Sequence, residues 1–406
     1  MFQSEHGSIL AGLLRRSAGD FFMAEDALAD AMRTALEQWP HKGMPTRPGA
    51  WIQTVASRRL VDAQRRQRSI PLDLQDPEII QQEAPVQEPD MCFAGDDDRL
   101  RLLFTCCHPA LDSSSRIALT LNSLCGLNSE EIARAYLTSG PTMAQRLVRA
   151  KRKIRDAAIP YRVPLHSDIP ERLASVLTVI YLVFNEGYSA SAGDQIVRHE
   201  LAKEAIDLAR QLTEWMPSEP EVRGLLALML LQHSRRLARL SEANALLLLD
   251  EQDRSLWDRE AIAEGIRHVE EALSAGPPGP YRLQAAIAAV HAEAACARDT
   301  DWAQIEQLYD RLIQCAPSPV VELNRAVAVC MNRGAAAALA SLQERTNPAE
   351  LENYLYYHST LADFYSRLRD RPRARLAYRK ALELANNTAE RLFLSERLGR
   401  VSDELE

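Results

Sequence analysis

Residues Thr142 to Arg155, TMAQRLVRAKRKIR, read as one helix with two faces. Met143, Leu147, Ala150 and Ile154 recur at i, i+4, i+7 and i+11, the spacing of one side of an α-helix. Gln145, Arg146, Arg149, Arg152 and Lys153 fall on the opposite side, and the stretch through Asp156 holds six Lys/Arg against one Asp. Thr142 is placed to cap the helix, with Gln145 three residues on capping back. Upstream, Asn128 is a candidate N-cap with Glu131 at N3, and Leu127 and Ile132 stand at the staple positions. Ser139-Gly140-Pro141 breaks the chain between the two segments. Helix, short turn, basic helix is the order of a helix-turn-helix, whose second helix enters the major groove. Taken alone, a basic helix face is as often a solvated surface as a reader of nucleic acid. The surrounding chain decides.

That chain has 406 residues, enough for two or three domains. Hydrophobic residues make up 46%, without the run of about 18 apolar residues that a membrane span needs. The start, MFQSEHGSIL, lacks the basic and apolar regions of a signal peptide. Seven scattered cysteines, an odd number, do not form a disulfide framework, so the expected compartment is reducing cytoplasm. A net charge of −8 argues at first against a nucleic-acid partner. Residues 1–170, however, hold 21 Lys/Arg and 21 Asp/Glu, so the whole excess of acid lies in 171–406.

Within the N-terminal part the charges are sorted along the chain. Residues 8–38 carry helical apolar periodicity and an acidic surface of Glu25, Asp26 and Asp30; Trp39-Pro40 is expected to end that segment. A second helix, Ala50 to Arg68, places Trp51, Ile52, Val55, Leu60 and Val61 beside Arg58, Arg59, Arg65, Arg66 and Arg68, with Asp62 its only acid. From there to Arg99 there is no Lys or Arg and there are nine acids, with prolines at 71, 77, 85 and 89. That composition reads as an acidic, unstructured tether. Helices resume near Asp97 and run to Ile159, and Pro160 and Pro164 mark a further boundary.

From Glu171 on, the pattern is almost wholly helical. Leu361 to Ala385 place Leu361, Tyr365, Ala374, Tyr378 and Ala381 at the packing positions of a tetratricopeptide repeat (TPR). A looser copy spans Ala285 to Pro317, with Trp302, Leu308, Tyr309, Leu312 and Ala316-Pro317, and another centres on Ala205 to Pro217. Helix pairs of this kind stack into a solenoid whose concave side holds a partner.

Catalytic and metal chemistry find little footing. Cys106-Cys107-His108 lacks further ligands at useful spacing, and adjacent helical cysteines point apart, which makes them core residues. Walker, GxGxxG, GxSxG and HExxH motifs are absent. Glu25 and Asp26 have no nearby histidine. Trp257-Asp258-Arg259 and Asn324-Arg325 fit buried polar contacts of a helical repeat. Neither an enzyme nor a cofactor or metal is expected.

Two basic helices flanking a tether of about 25 residues make a combination more specific than its parts. Extended, such a tether reaches on the order of 80 Å, whereas DNA elements about 17 base pairs apart are separated by roughly 58 Å. Ala24–Pro40 (AEDALADAMRTALEQWP) with Pro48–Arg68 (PGAWIQTVASRRLVDAQRRQR) resembles region 2 of an extracytoplasmic-function (ECF) sigma factor, and Asp97–Arg155 resembles its region 4. The segments IYLVFNEGY, ALMLLQHSRR, PYRLQAAIAAVHAEA, TDWAQIEQLYDRL and PSPVVELNRAVAV resemble the subgroup with a TPR-like extension. One departure is Ala56-Ser57-Arg58-Arg59-Leu60-Val61-Asp62, where the family more usually reads ARNxxxD.

The resemblance implies an all-α, non-enzymatic protein whose partners are RNA polymerase core, through the β′ clamp helices and β flap, and promoter DNA. Glu25, Asp26 and Asp30 would face the polymerase. Trp51, Arg58, Arg59, Asp62, Arg65 and Arg66 would serve the −10 element. Thr142, Gln145, Arg146, Arg149, Arg152 and Lys153 would serve the −35 element. The expected division is region 2 over 1–70, acidic linker over 71–96, region 4 over 97–159, a connector over 160–170, and over 171–406 a TPR-like extension with its own protein partner. A helix-turn-helix regulator with a repeat-based partner domain is the alternative, and it needs only one DNA-reading helix.

Overall fold

The computed structural model describes residues 2–68, 98–136, 138–164, 166–188, 195–239, 241, 246–385 and 388–403. The acidic segment 71–96 lies outside them. The chain is all-α: nineteen α-helices and no β-strand occur among the described residues. It divides into two compact units, Met1–Val183 and Phe184–Glu406. The first therefore runs beyond the prolines at 160 and 164.

The first unit is built around α1 (Phe2–Arg16), which packs against α2 (Phe21–Lys42), α3 (Pro48–Arg68), α4 (Asp98–Cys106) and α5 (Ser113–Ser123). Leu10, Leu13 and Leu14, spaced three and four apart, are at most 1% exposed. Ala18 and Gly19 turn the chain with φ of 52° and 87°, and Asp20 caps α2 by accepting from Met23 N at 3.0 Å. Gly7 lets α1 approach backbone to backbone: an added Cβ would stand 2.4 Å from the Leu124 carbonyl oxygen at the end of α5.

The expectation that Trp39-Pro40 ends the second helix is overturned, because α2 continues through Pro40 to Lys42. Proline removes only its own N–H bond here. Exposed Leu36, whose carbonyl loses that bond, remains open to water, and Gly43 closes the helix at φ 80° by donating to the Trp39 carbonyl at 3.0 Å.

Behind α4 and α5 follow α6 (Ser129–Ala135), α7 (Gly140–Asp156) and α8 (Ile169–Tyr188). Tyr161 ties the unit together, its hydroxyl lying 3.1 Å from the Ala11 carbonyl oxygen of α1 and 2.9 Å from that of Asp98 at the start of α4. Burial, with the Asp98 carboxylate nearby, raises this phenol's pKa far above its ordinary value. The beginning of α8 belongs to the same unit: Arg172 donates to the Phe104 carbonyl at 2.7 Å and Ser175 to that of Cys107 at 2.8 Å. Cys106 and Cys107 are fully buried, and burial pushes the Cys107 thiol up to about 12, which leaves it protonated beside Thr120 Oγ1 at 3.6 Å.

The second unit is a succession of helices, joined by short turns except for the long connection between α10 and α11: α9 (Gln195–Trp215), α10 (Pro220–His233), α11 (Arg259–Leu273), α12 (Pro280–Glu293), α13 (Trp302–Cys315), α14 (Pro319–Arg333), α15 (Ala335–Arg345), α16 (Pro348–Leu351), α17 (Leu355–Arg367), α18 (Arg371–Leu384) and α19 (Thr388–Asp403). Local sequence sets their starts. Asp258, Asp301, Ser318, Asn347 and Asp370 each cap a following helix, and prolines occupy the first turn of α10, α12, α14, α16 and α18. The positions expected to pack do so unevenly. Ala374, Tyr378 and Ala381 are buried, Leu361 and Tyr365 are half-buried, and the deep partners on α17 are Ala362 and Phe364. Trp302, Leu308, Tyr309, Leu312 and Ala316 all meet one cluster around Leu283, Ile287 and Ile305.

Charged side chains stitch successive helices. Arg282 is 7% exposed, reaching Glu221 at 2.7 Å and the Ala272 carbonyl at 3.1 Å. Arg325 is 8% exposed, reaching Asp310 at 2.7 Å and Ser341 at 2.8 Å. Asp258 caps α11 and pairs with Arg236 at 3.1 Å.

Candidate nucleic-acid interface

The helix pair α6–α7 carries the caps that its sequence requires. Asn128 Oδ1 accepts from the backbone N–H of Glu130 and Glu131, both at 3.0 Å, and Glu131 reaches back to Asn128 N at 2.7 Å. That is a closed capping box. The start of α7 differs from the expected one. Ser139, not Thr142, is the N-cap, accepting from Thr142 N at 3.3 Å, and Gly140-Pro141 form the first helical positions. Proline fits there because its missing N–H has no helical partner to lose. Thr142 is left exposed, its hydroxyl 2.7 Å from that of Ser139.

The rest of α7 divides by face. Met143, Leu147, Ala150 and Ile154 are at most 5% exposed, whereas Gln145, Arg149, Arg152 and Lys153 are exposed and Arg146 is half-buried. Thr142, Gln145, Arg146, Arg149 and Lys153 line one cleft of about 510 Å³ whose other wall is Ala110–Ser115, at the start of α5; Arg152 lies outside it. In that wall the Asp112 carboxyl is held down at about 2 by the Ser114 and Ser115 side chains, and it caps α5 through Ser115 N at 2.9 Å. The α7 wall of the cleft thus carries the cations Arg146, Arg149 and Lys153.

One basic residue of α7 has a different fate. Lys151, only 8% exposed, pairs with Glu25 of α2 at 2.5 Å and donates to Asn122 Oδ1 of α5 at 3.2 Å. One turn on, the Arg155 guanidinium lies 5.8 Å from the centre of the Phe22 ring, again on α2. His6 of α1 is also near, and burial together with Lys151 lowers its pKa. Lys151 therefore sits where four helices meet. The sequence contained the signal, since position 151 falls on the apolar stripe, four residues after Leu147. A lysine there needs a buried acid or amide.

On α3 the six expected residues share one side. At 100° per residue, Trp51, Arg58, Arg59, Asp62, Arg65 and Arg66 fall within an arc of about 120°. The four arginines and Asp62 are exposed, and Trp51 is half-buried with its ring edge-on to Trp39 at 5.5 Å. The three acids of α2 separate: Glu25 is committed to Lys151, Asp30 pairs with Arg33 at 2.8 Å, and Asp26 is exposed. Beyond them on α2, Leu36, which the apolar periodicity of residues 8–38 would place in the core, is 73% exposed.

Among the described residues no helix is long and apolar enough to cross a membrane, and no group of three or more His, Cys, Asp or Glu is placed to hold a metal.

The first unit is all-α and exposes a cationic face on each of α3 and α7. The model of sigma-70 region 2 matches residues 2–70, which cover α1 to α3, and a family of unknown function, DUF6596, matches residues 172–273. An uncharacterized protein of Rhizobium meliloti (strain 1021) is 42% identical over 399 residues, covering 97% of this chain and 93% of the relative. The chain belongs to the same family as that protein, and its sigma-70 region 2 domain marks it as sigma-factor-like, with RNA polymerase and promoter DNA as the corresponding partners.

Proposed function

We propose that the protein is an ECF-type sigma factor that directs promoter-specific initiation, with α3 serving the −10 element, α7 the −35 element, and the second unit acting as a cytoplasmic, TPR-like regulatory extension. The observation that carries this reading is the pair of exposed cationic faces on α3 and α7, one of them inside the matched sigma-70 region 2. A simple operator-binding regulator has no use for the first.

The chemistry divides along each face. Gln145 and Arg146, in the first turns of α7, suit base edges because Gln matches adenine and Arg matches guanine. Arg149, Arg152 and Lys153 suit phosphates, which fix position without reading sequence. On α3, Arg58, Arg59, Arg65 and Arg66 suit the backbone of a melted strand, with Trp51 and Asp62 on the same side. Asp26, Asp30 and exposed Leu36 offer the polymerase an acidic and apolar surface on α2, and the acidic segment 71–96 suits a basic channel.

Lys151 and Arg155 tie α7 to α2, and α2 packs on α3. Reading elements roughly 58 Å apart would be helped by core polymerase parting α2 from α7, which would also free Glu25 to face it. Footprinting on a cognate promoter tests the reading. Protection of both elements should appear with core polymerase present, and Arg146→Ala should remove the upstream half selectively. Full protection without core, or loss of neither half, would contradict it.

A further inference from the structure

The second unit encloses a cavity of about 500 Å³ that the promoter-binding reading leaves without a use. Its walls come from the turn after α10, the segment 246–252, α12 to α14 and α17 to α19; they are mainly aromatic and aliphatic, with three acids, Asp250, Asp363 and Glu390, the last accepting from Tyr356 Oη at 3.0 Å. Glu251 closes one side by pairing with Arg397 of α19 at 2.5 Å.

Five arginines line this space, and their partners separate them into two groups. Arg397 has Glu251, Arg367 has Asp363 at 2.7 Å, and Arg254 donates to the His291 carbonyl at 2.6 Å and that of Ala294 at 2.5 Å. Arg235 and Arg239 have no carboxylate partner among the described residues. Arg239 lies flat on the Tyr188 ring, 3.6 Å from its centre, and donates to the Tyr188 carbonyl; Arg235 approaches the same ring at 5.9 Å. Burial and the neighbouring Arg235 push the Arg239 guanidinium pKa down. Close by, Tyr188 Oη, Gln252 Oε1 and His291 Nδ1 are buried without a hydrogen-bond partner among the described residues. Two adjacent half-buried cations with no carboxylate partner among the described residues, beside three such polar atoms, are costly unless something pairs with them.

We propose that this cavity is a binding site for a small organic carboxylate with an apolar, aromatic-sized body. The head would pair with Arg235 and Arg239, where guanidinium forks match a carboxylate. The body would lie against the apolar lining, which includes Trp302, Tyr309 and Phe364. The volume fits one such molecule, since small-molecule sites run to about 300–1,000 Å³. The unpaired guanidiniums specify the anion and the apolar walls specify the body. Neither alone suffices, so inorganic anions are poor ligands.

The test is isothermal titration of the full-length protein with phenylbutyrate, with phenylbutanol as the uncharged match and inorganic phosphate as the head without the body. The inference predicts saturable one-site binding of phenylbutyrate, with both controls at least about tenfold weaker. Arg239→Gln and Arg235→Gln should each weaken it by about tenfold while circular dichroism remains unchanged. Should Arg239→Gln fail to fold, the less constrained Arg235→Gln decides. The inference is overturned by equal binding of the alcohol, by affinity indifferent to Arg235→Gln, or by binding confined to peptides with a free C-terminal carboxylate while phenylbutyrate stays silent. None of these outcomes touches the promoter-binding proposal, which rests on the other unit.

Discussion

Replacing Lys151 with methionine removes the charge that holds α7 to α2 while keeping nearly the same volume. The Lys151 side chain is 9% exposed and that of Glu25 30%, so the pair lies between two regimes. Exposed pairs contribute about 0–1 kcal/mol, whereas breaking a fully buried one costs about 3–5 kcal/mol because the other charge is stranded. With Glu25 still partly reached by water, about 2 kcal/mol is the expected cost, and Asn122 Oδ1 loses its donor as well. A cost of that size raises local opening about 30-fold. Hydrogen exchange of the full-length protein should therefore show amides of α2 and α7 near the pair exchanging about 30-fold faster, with the second unit unchanged. Glu25→Gln should reproduce much of the effect, and the double variant should cost clearly less than the sum of the two. Additive effects, or unchanged exchange in both helices, would refute the idea that this ion pair clasps the unit.

Three further outcomes follow from other features. Gly7→Ala forces the α1 backbone away from Leu124 and should lower the denaturation midpoint of the first unit by about 1–3 kcal/mol in stability, whereas Gly43→Ala, with no neighbour within 4 Å but φ 80°, tests strain alone. Lys153→Ala and Arg152→Ala should weaken DNA binding alike on all sequences and each reduce the salt slope by about 1, while Arg146→Ala should change base preference. His291, whose pKa burial and the neighbouring Arg235 and Arg254 push down to about 4, stays neutral in the folded chain while the unfolded chain protonates it near 6.5. Stability from this group is thus complete above about pH 6.5 and lost as pH falls toward 4, by at most about 2 kcal/mol at pH 5. Urea midpoints at pH 7 and 5, for wild type and His291→Gln, check this; an equal drop in both would exclude His291 as the cause.

The apolar stripe of α7, the capping box of α6 and the single basic side of α3 were all legible in the sequence, because each depends on residues a few positions apart. The misplaced cap was a local error of another kind. Thr142 and Ser139 both satisfy the pattern, and only the Gly140-Pro141 geometry, which admits proline at the first turn, chooses between them. Lys151 was hidden for a different reason. Grouping it with its basic neighbours is natural in one dimension, and its partners Glu25 and Asn122 lie 126 and 29 residues away. The arginines of the second unit are the same case. Arg325 is the exception, expected from its sequence to make a buried polar contact and found making one. Arg282 looks like a surface charge in sequence and serves as a buried connection, and Arg239 differs from both in having no carboxylate partner among the described residues.

Two cationic helices that act together as a promoter reader on RNA polymerase should make initiation depend on both. Run-off transcription measures this directly, using core polymerase, the full-length protein and a cognate promoter template. The expected result is a discrete transcript that depends on the protein, that falls at least about tenfold when Arg58 and Arg59 are both changed to alanine, and that falls comparably with Arg146→Ala. Binding of the DNA with no core-dependent transcript, or a transcript indifferent to the α3 arginines, would contradict it.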